Sequence, residues 1–328
     1  MNKYFRTKVK VELLKDKIDY SKSLLLLGSC FTENIGSKLN YYKFNCQINP
    51  FGIVYNPISI AQSIDSLIDN DYNFEINIQK EKEIYFSYEF HGEFSSLNKD
   101  SSIKKMRDSY LNGKEALKRC SFLIISFGTS WVYQLKSTKK IVANCHKQKR
   151  DLFTRFRLSP KLIVNRYLEL IERIQQLNPN IKIIFTLSPI RHLKDGAHGN
   201  QLSKATLILA INEICQQSNN VNYFPSYEIL LDELRDYRFY EKDMIHPSDL
   251  AVDYIWEVFK ENYISKSTYT CMDEVNKLQL ALNHKINHPN SKANKSFLRM
   301  QLNKSKDLQK KYAFLDLDNE INLLRSLI

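Results

Sequence analysis

Two short stretches of this chain carry side chains that could do chemistry. The first is Gly28-Ser29-Cys30, which ends the apolar run Leu24 to Leu27. A buried strand that stops on glycine would deliver two candidate nucleophiles to the start of a helix. Unpaired backbone N–H groups and the positive end of the helix dipole gather there. That setting lowers a thiol's pKa, and the same N–H groups can hold an oxyanion. The second stretch is Asp243-Met244-Ile245-His246-Pro247. A carboxylate three residues before an imidazole can hold one ring nitrogen and leave the other to act as base. Pro247 suits the first turn of a helix. Taken singly, each stretch reads more readily as an ordinary turn. An early nucleophile and a late Asp–His pair, both at loop ends, form a far more specific combination.

Such a combination needs a scaffold that brings distant loops together. Apolar runs and helix-period segments alternate through the first 265 residues. Residues 23–28, 120–128 and 181–189 read as buried strands, and 221–230 as a fourth strand running into a loop. Residues 84–90 alternate like a half-exposed strand. Helices are expected over 32–42 with Thr32 as N-cap, over 56–68 opening on Asn56-Pro57, and over 159–179. Two more are expected over 203–218 and over 246–264, the last capped near Ser248. Strands spaced by helices pair in parallel through right-handed crossovers. The expectation is a three-layer α/β/α sandwich around a mostly parallel sheet. Sites in such sheets lie beyond the carboxyl ends of the strands. Beyond residue 265 no strand is expected. Residues 271–289 and 305–328 read as helices joined by a polar linker at 290–296. We therefore expect a catalytic domain over 1–264 and a basic helical extension over 265–328.

Composition bounds the function classes. With 43% hydrophobic and 26% charged residues the 328-residue chain is globular rather than disordered. No apolar run of signal-peptide length follows the first basic residues, and no stretch reaches the ~18 apolar residues of a membrane span. Six scattered cysteines without a CxxC pair suit free thiols in a reducing cytoplasm. The net charge of +12 would at first suit nucleic acid. Eight Lys and Arg against Asp307 alone fall between Lys285 and Lys311, however, which places +7 of the total in one segment. A solvated helical tail accounts for that. Nucleic acid is not expected as a partner, although the segment could contact an anionic one.

The stretch "GSCFTENIG" resembles the signature of the GSCFA family, a bacterial group similar to the SGNH/GDSL hydrolases. Further segments resemble the family in order over most of residues 20–260: "NPFGIVYNP", "FGTSWVY", "VANCHK", "TLSPIRH", "SKATL", "YFPSYEI" and "LRDYRFYEKDMIHPS". The wider superfamily implies a flavodoxin-like sheet and a serine nucleophile in Gly-Asp-Ser. It also implies oxyanion donors from the nucleophile N–H, a glycine and an asparagine, and an Asp-x-x-His near the C-terminus. Asp243 and His246 match that last element. Aligning glycine with glycine puts Ser29 on the Asp and Cys30 on the nucleophile. In the third block Gly128-Thr129-Ser130-Trp131 stands where Gly-x-Asn-Asp is usual, so Ser130 occupies the place of the Asn donor. Gly52 could be the glycine donor, and Asn144 could supply the missing amide.

A cysteine with a histidine partner at a helix N-terminus can form a thiolate–imidazolium pair near neutral pH. Cys30 is therefore preferred to Ser29, which would orient the loop or donate to substrate. Arg191 could clamp a carboxylate or phosphate, or sit in an ion pair. Arg235 and Arg238 beside Asp236 read as a structural charge network. Tyr55, Trp131, Tyr133 and Tyr240 could stack on a sugar, or serve as core and rim residues. Cys145, His146, His192 and His198 lack the spacing of a zinc site, and neither metal nor cofactor is expected. The sequence thus points to an esterase or O-acyltransferase on a small acylated substrate, such as an acylated carbohydrate or glycoconjugate. The alternative is a binding protein for an acyl or sugar ligand on a degenerate hydrolase fold.

Overall fold

The structure is a computed structural model and describes residues 6–69, 72–284, 288 and 291–328. In chain order it begins with β1 (Ser23–Gly28), α1 (Cys30–Tyr41), β2 (Asn45–Ile48), α2 (Pro57–Asp69) and α3 (Phe74–Asn77). There follow β3 (Gln79–Glu81), β4 (Ile84–Phe86), α4 (Lys99–Arg119), β5 (Phe122–Phe127) and β6 (Trp131–Leu135). Next come β7 (Ile141–Val142), β8 (Phe153–Arg157), α5 (Pro160–Leu177), β9 (Lys182–Leu187) and α6 (Gly196–Gln217). The last elements are β10 (Val221–Phe224), α7 (Ser226–Glu228), α8 (Asp249–Tyr263), α9 (Tyr269–Leu282), α10 (Lys292–Lys311) and α11 (Asp318–Leu327).

Five strands form one parallel sheet in the order β2-β1-β5-β9-β10. Leu24 and Leu26 face one side and Leu25 and Leu27 the other, and all four are buried. A strand buried on both faces has no polar alternation, which is why the leucine run is continuous. One face packs under α2, α4, α5 and α6. The other packs under α1 and α8, with Leu14 and Ile18 from the N-terminal segment. This is the expected three-layer sandwich. The chain leaves β1 toward β2 on one side, then returns past it to β5 on the other. The carboxyl ends of β1 and β5 thus flank the point where strand order reverses, which is where such sheets hold ligands.

Four features depart from the sequence reading. α1 begins at Cys30 with Ser29 as its N-cap, not at Thr32. β2 escapes sequence reading because it is a four-residue edge strand, Asn-Cys-Gln-Ile, with little buried surface. Of residues 84–90 only β4 is a strand, and it pairs antiparallel with β3 outside the main sheet. Residues 131–157 insert a second antiparallel sheet, β7-β6-β8, between β5 and α5.

The C-terminal region is helical. Ser291 caps α10, so most of the supposed linker at 290–296 is helix. The helix expected over 305–328 breaks after Lys311 and resumes as α11. Residues 285–287, 289 and 290, including Lys285 and the end of the helix expected over 271–289, lie outside the described residues. α9, α10 and α11 share a small core around Val275, Leu308 and Leu317. They dock near the end of α1, where Tyr20 stacks between Phe44 and Phe314 and the Tyr41 hydroxyl donates to Asn276. Among the described residues, no helix is long and apolar enough to cross a membrane.

Candidate active site

β1 ends in a turn only glycine can make. Gly28 has φ +148°, and a Cβ there would stand 2.3 Å from the Ser126 carbonyl oxygen on β5. The chain then turns Ser29 toward β5. The Ser29 Oγ lies 3.0 Å from Ser126 Oγ, its N–H donates to Ser126 O, and the residue is buried. Cys30, the first residue of α1, stays partly exposed. Burial raises the Cys30 thiol above its ordinary pKa, and the Glu33 carboxylate in the same helical turn adds to the rise. No hydrogen bond joins Cys30 to His246. The preformed thiolate–imidazolium pair expected from the helix N-terminus is therefore not found. Desolvation and Glu33 outweigh the lowering by the Cys30 backbone N–H.

The Asp–His pair is well formed. Asp243 Oδ2 lies 2.6 Å from His246 Nδ1, while Oδ1 accepts the amides of Ile245 at 2.8 Å and His246 at 3.0 Å. The hydrogen bond from His246, then those two amides, hold the Asp243 carboxyl down at about 2. Both side chains are about half exposed, at 46% and 47%, so a bulky substrate can reach the ring. Arg191, just past β9, anchors this loop. Its N–H donates to Ile245 O and its guanidinium to Met244 O, with the cation over the Tyr240 ring. Arg191 thus holds the loop backbone rather than standing free as an anion clamp. It also borders a cavity of about 450 Å³ lined by Tyr227, Tyr237, Tyr240, Gln201 and Arg235, among others.

The expected oxyanion donors are placed differently. The Gly52 amide donates to Asn49 O, within a turn where Gly52 has φ +72°. The Gly128 and Thr129 amides both donate to Tyr55 O. Ser130 is fully buried; its N–H and Oγ both bond Ser203 Oγ. Gly52, Gly128 and Ser130 therefore spend these groups inside the protein. Asn144 sits near Gly92, its Nδ2 3.9 Å from where a Cβ on Gly92 would stand, and its Oδ1 accepts the His146 amide.

The GSCFA family pattern matches residues 23–259, and that of the GSCFA domain protein C-terminal domain matches residues 275–328. The chain belongs to the GSCFA family. No curated protein matches it. Among solved structures it is similar to a family 3 carbohydrate esterase from Clostridium thermocellum (TM-score 0.33, 10% identity, covering 77% of this chain and 97% of that one). It is also similar to a family 3 carbohydrate esterase from Talaromyces cellulolyticus (TM-score 0.37, 9% identity, 77% and 99% covered). A third is the acetyl xylan esterase Est2A from Butyrivibrio proteoclasticus (TM-score 0.37, 12% identity, 75% and 66% covered).

In this GSCFA chain three further residues shape the crevice. Asn49, buried at the end of β2, accepts the Gly28 amide on Oδ1 and donates from Nδ2 to Glu33. It ties the nucleophile turn to the first turn of α1. Tyr55 is deeply set, and burial raises its phenol pKa. Its ring lies 5.7 Å from that of His192. Lys204, fully buried on α6, donates to the carbonyls of Gly128 and Ser188 and so joins the carboxyl ends of β5 and β9. Burial lowers its ammonium to about 7. The Lys204 signal is present in the sequence: a lysine on the stripe Asn200, Ser203, Leu207, Ile211, Ile214 that α6 buries. Nothing local marks Asn49.

The remaining candidates resolve as structure. His146 Nε2 faces the carbonyls of Ser87 and Phe90, away from any metal role with His192. Among the described residues no three His, Cys, Asp or Glu side chains converge as a metal site. Arg155 stacks on Trp131 and Tyr133 and pairs with Asp195. Arg235 pairs with Asp232 and Arg238 with Asp236, consistent with a surface charge network.

Proposed function

We propose that this GSCFA protein is an acyl hydrolase or O-acyltransferase acting through Cys30, His246 and Asp243. The observation that carries the reading is the Asp243–His246 pair. The carboxylate holds Nδ1 and leaves Nε2 as the base, on a loop that Arg191 ties to the end of β9. In the reaction the Cys30 proton passes to His246 Nε2 as sulfur bonds to the acyl carbon. Collapse of the tetrahedral oxyanion returns that proton to the departing alcohol and leaves a thioester. Water or a second alcohol then takes the acyl group. The resting thiol is neutral, so His246 acts as general base during attack. Ser29, bonded to Ser126, orients the turn. The amides of Cys30 and Phe31, which open α1, are suited to face the developing charge.

The cavity beside the loop supports a substrate with a carbohydrate or glycoconjugate leaving group. Its tyrosines and amide offer the apolar faces and hydrogen bonds a sugar uses. In this reading residues 1–264 form the catalytic domain. Residues 265–328 dock on it as a basic extension, a surface that suits an anionic partner.

Incubation with p-nitrophenyl acetate tests the proposal. A burst of nitrophenol is expected from the wild type and from Ser29→Ala, and none from Cys30→Ala or His246→Ala. Unchanged rates in the last two variants would remove the mechanism. One observation favours the second reading, a ligand-binding protein on a degenerate hydrolase fold: the amides of Gly52, Gly128 and Ser130 are all spent internally. That reading predicts no burst and no alkylation of Cys30 by iodoacetamide.

A further inference from the structure

The C-terminal helices carry a charge pattern that the chemistry at Cys30 does not use. At about 100° per residue, Lys292, Lys295, Arg299, Lys306 and Lys310 fall within about 60° of one another on α10, and all five are exposed. At a rise of about 1.5 Å per residue the row is about 27 Å long. Ser296 and Asn303 lie between its members, and no acidic or aromatic residue shares that face. Leu298, Gln301, Ser305 and Leu308 turn the other way and are buried. Among the described residues Lys311 pairs with Glu274, whereas no carboxylate answers the five cations of the row. Like charges at i,i+4 destabilise a helix. Lys295 with Arg299 and Lys306 with Lys310 therefore oppose α10 until an anion meets them. Beside the end of the row a groove of about 480 Å³ opens between α10 and α11. Lys306, Lys310 and Arg325 line it against one carboxylate, Asp318, which accepts from Gln309.

We propose that this face of the extension docks on an anionic phospholipid bilayer, with the groove beside Arg325 holding one headgroup phosphate. This rests on the reading of residues 265–328 as a surface for an anionic partner, and it names that partner. A straight row of cations suits a flat field of headgroups, where each charge contributes by nearness rather than by a fixed geometry. Single-stranded nucleic acid instead asks for rings that stack its bases, and the row has none. A duplex winds its phosphates away from a straight line, and base reading favours the fork of arginine. Four of the five cations here are lysine. Docking through this face leaves the catalytic crevice free. The Tyr41 hydroxyl, in the last turn of α1, donates to Asn276 of α9, and Lys43 pairs with Glu320 of α11. Cys30 opens α1, about 17 Å from Tyr41 along the helix.

The test sediments the full chain with vesicles of phosphatidylcholine, alone or mixed equally with phosphatidylglycerol. Binding is expected to the mixed vesicles only. Raising salt from about 0.1 to 1 M shortens the Debye length from about 10 to 3 Å and should release the protein. Each cation near an anionic leaflet strengthens binding about fivefold, so Lys295→Gln, Arg299→Gln and Lys306→Gln combined should weaken it about 10²-fold. Lys310→Gln with Arg325→Gln, inside the groove, should cost more than Lys292→Gln with Lys295→Gln, which removes the same charge outside it. Equal binding to pure phosphatidylcholine, or full binding by the triple variant, overturns the proposal. Equal losses in the two double variants overturn the headgroup seat. Tighter capture of a duplex or single-stranded oligonucleotide than of the mixed vesicles overturns the lipid and keeps an anionic partner, while binding to neither overturns both. The p-nitrophenyl acetate burst, measured alongside, should be the same in wild type and in all three variants. A burst without vesicle binding overturns the docking alone and leaves the acyl-transfer reading standing.

Discussion

His246 Nδ1 stands 2.6 Å from one oxygen of Asp243, and the other oxygen accepts the backbone amides of Ile245 and His246 itself. One carboxylate thus fixes both the ring and the backbone of the residue it orients. Two variants separate these jobs. Asp243→Asn keeps a side-chain acceptor for the amides but loses the charge that favours the Nδ1–H tautomer. Its kcat for p-nitrophenyl acetate should fall about 10²–10⁴-fold with little change in KM. Asp243→Ala should lose activity to the same extent and also speed amide exchange over residues 243–248. Equal activity of wild type and Asp243→Asn counts against the pair as an oriented base.

The same carboxylate predicts an acid limit for the loop. Its folded pKa of about 2 lies below the ordinary Asp value of about 3.9. A depressed carboxylate pKa gives stabilisation that is present above the unfolded value and lost as pH falls through the folded one. The loop should therefore loosen between about pH 4 and 2. Amide exchange at Ile245 and His246 followed over that range should show it, and Asp243→Asn should flatten the dependence.

Ser29 and Cys30 are neighbours with different surroundings, and their substitutions should differ in kind. Ser29→Ala leaves Ser126 Oγ without its partner in a buried site and should cost about 1 kcal/mol of stability while keeping the acylation burst. Cys30→Ala should abolish the burst with a smaller effect on unfolding. A burst that disappears in Ser29→Ala and persists in Cys30→Ala would reverse the assignment of the nucleophile.

How much of this was legible beforehand depends on range. β1, β5 and β9 show themselves because both faces of each are buried, and Asp243–His246 because three residues separate them. β2 hides behind Asn45 and Gln47 at an exposed edge. α4 hides because its buried stripe of Ile103, Met106, Tyr110 and Leu117 is diluted among lysines, arginines and serines. The donors failed to read out for a further reason. Residue type at Gly52, Gly128 and Ser130 says nothing about whether an amide is already taken; Asn49 O takes that of Gly52 locally, while Tyr55 O and Ser203 Oγ, which take the other two, are remote in the chain. The sequence displays the helix position of the Cys30 thiol but not its desolvation.

The desolvated thiol of Cys30 carries a measurable expectation. With its pKa raised by burial and by Glu33, the rate of iodoacetamide alkylation should keep climbing beyond pH 8.5, the ordinary midpoint for a thiol. Glu33→Gln removes a negative charge beside the sulfur and should shift the midpoint downward. A midpoint near 7 in the wild type would mean that His246 or the helix end stabilises the thiolate after all.

Lys204 offers a different pH signature, because a cation is buried where only carbonyls answer it. Two of its protons go to Gly128 O and Ser188 O, and burial lowers its pKa to about 7 against about 10.4 for an exposed lysine. Between those values the unfolded chain binds a proton that the folded protein sheds, so stability should rise with pH from about 7 to 10. Below about pH 7 both states hold the proton, so the slope vanishes and the full cost of the buried cation is present. Lys204→Met, which keeps the stem and removes the titrating group, should flatten that slope in thermal unfolding. It should also loosen the splice between the carboxyl ends of β5 and β9, beside the turn that presents Cys30. Lower activity is then expected even at a pH where the variant is fully folded. A slope that survives in Lys204→Met assigns the titration to another group and leaves Lys204 as a charged tie throughout.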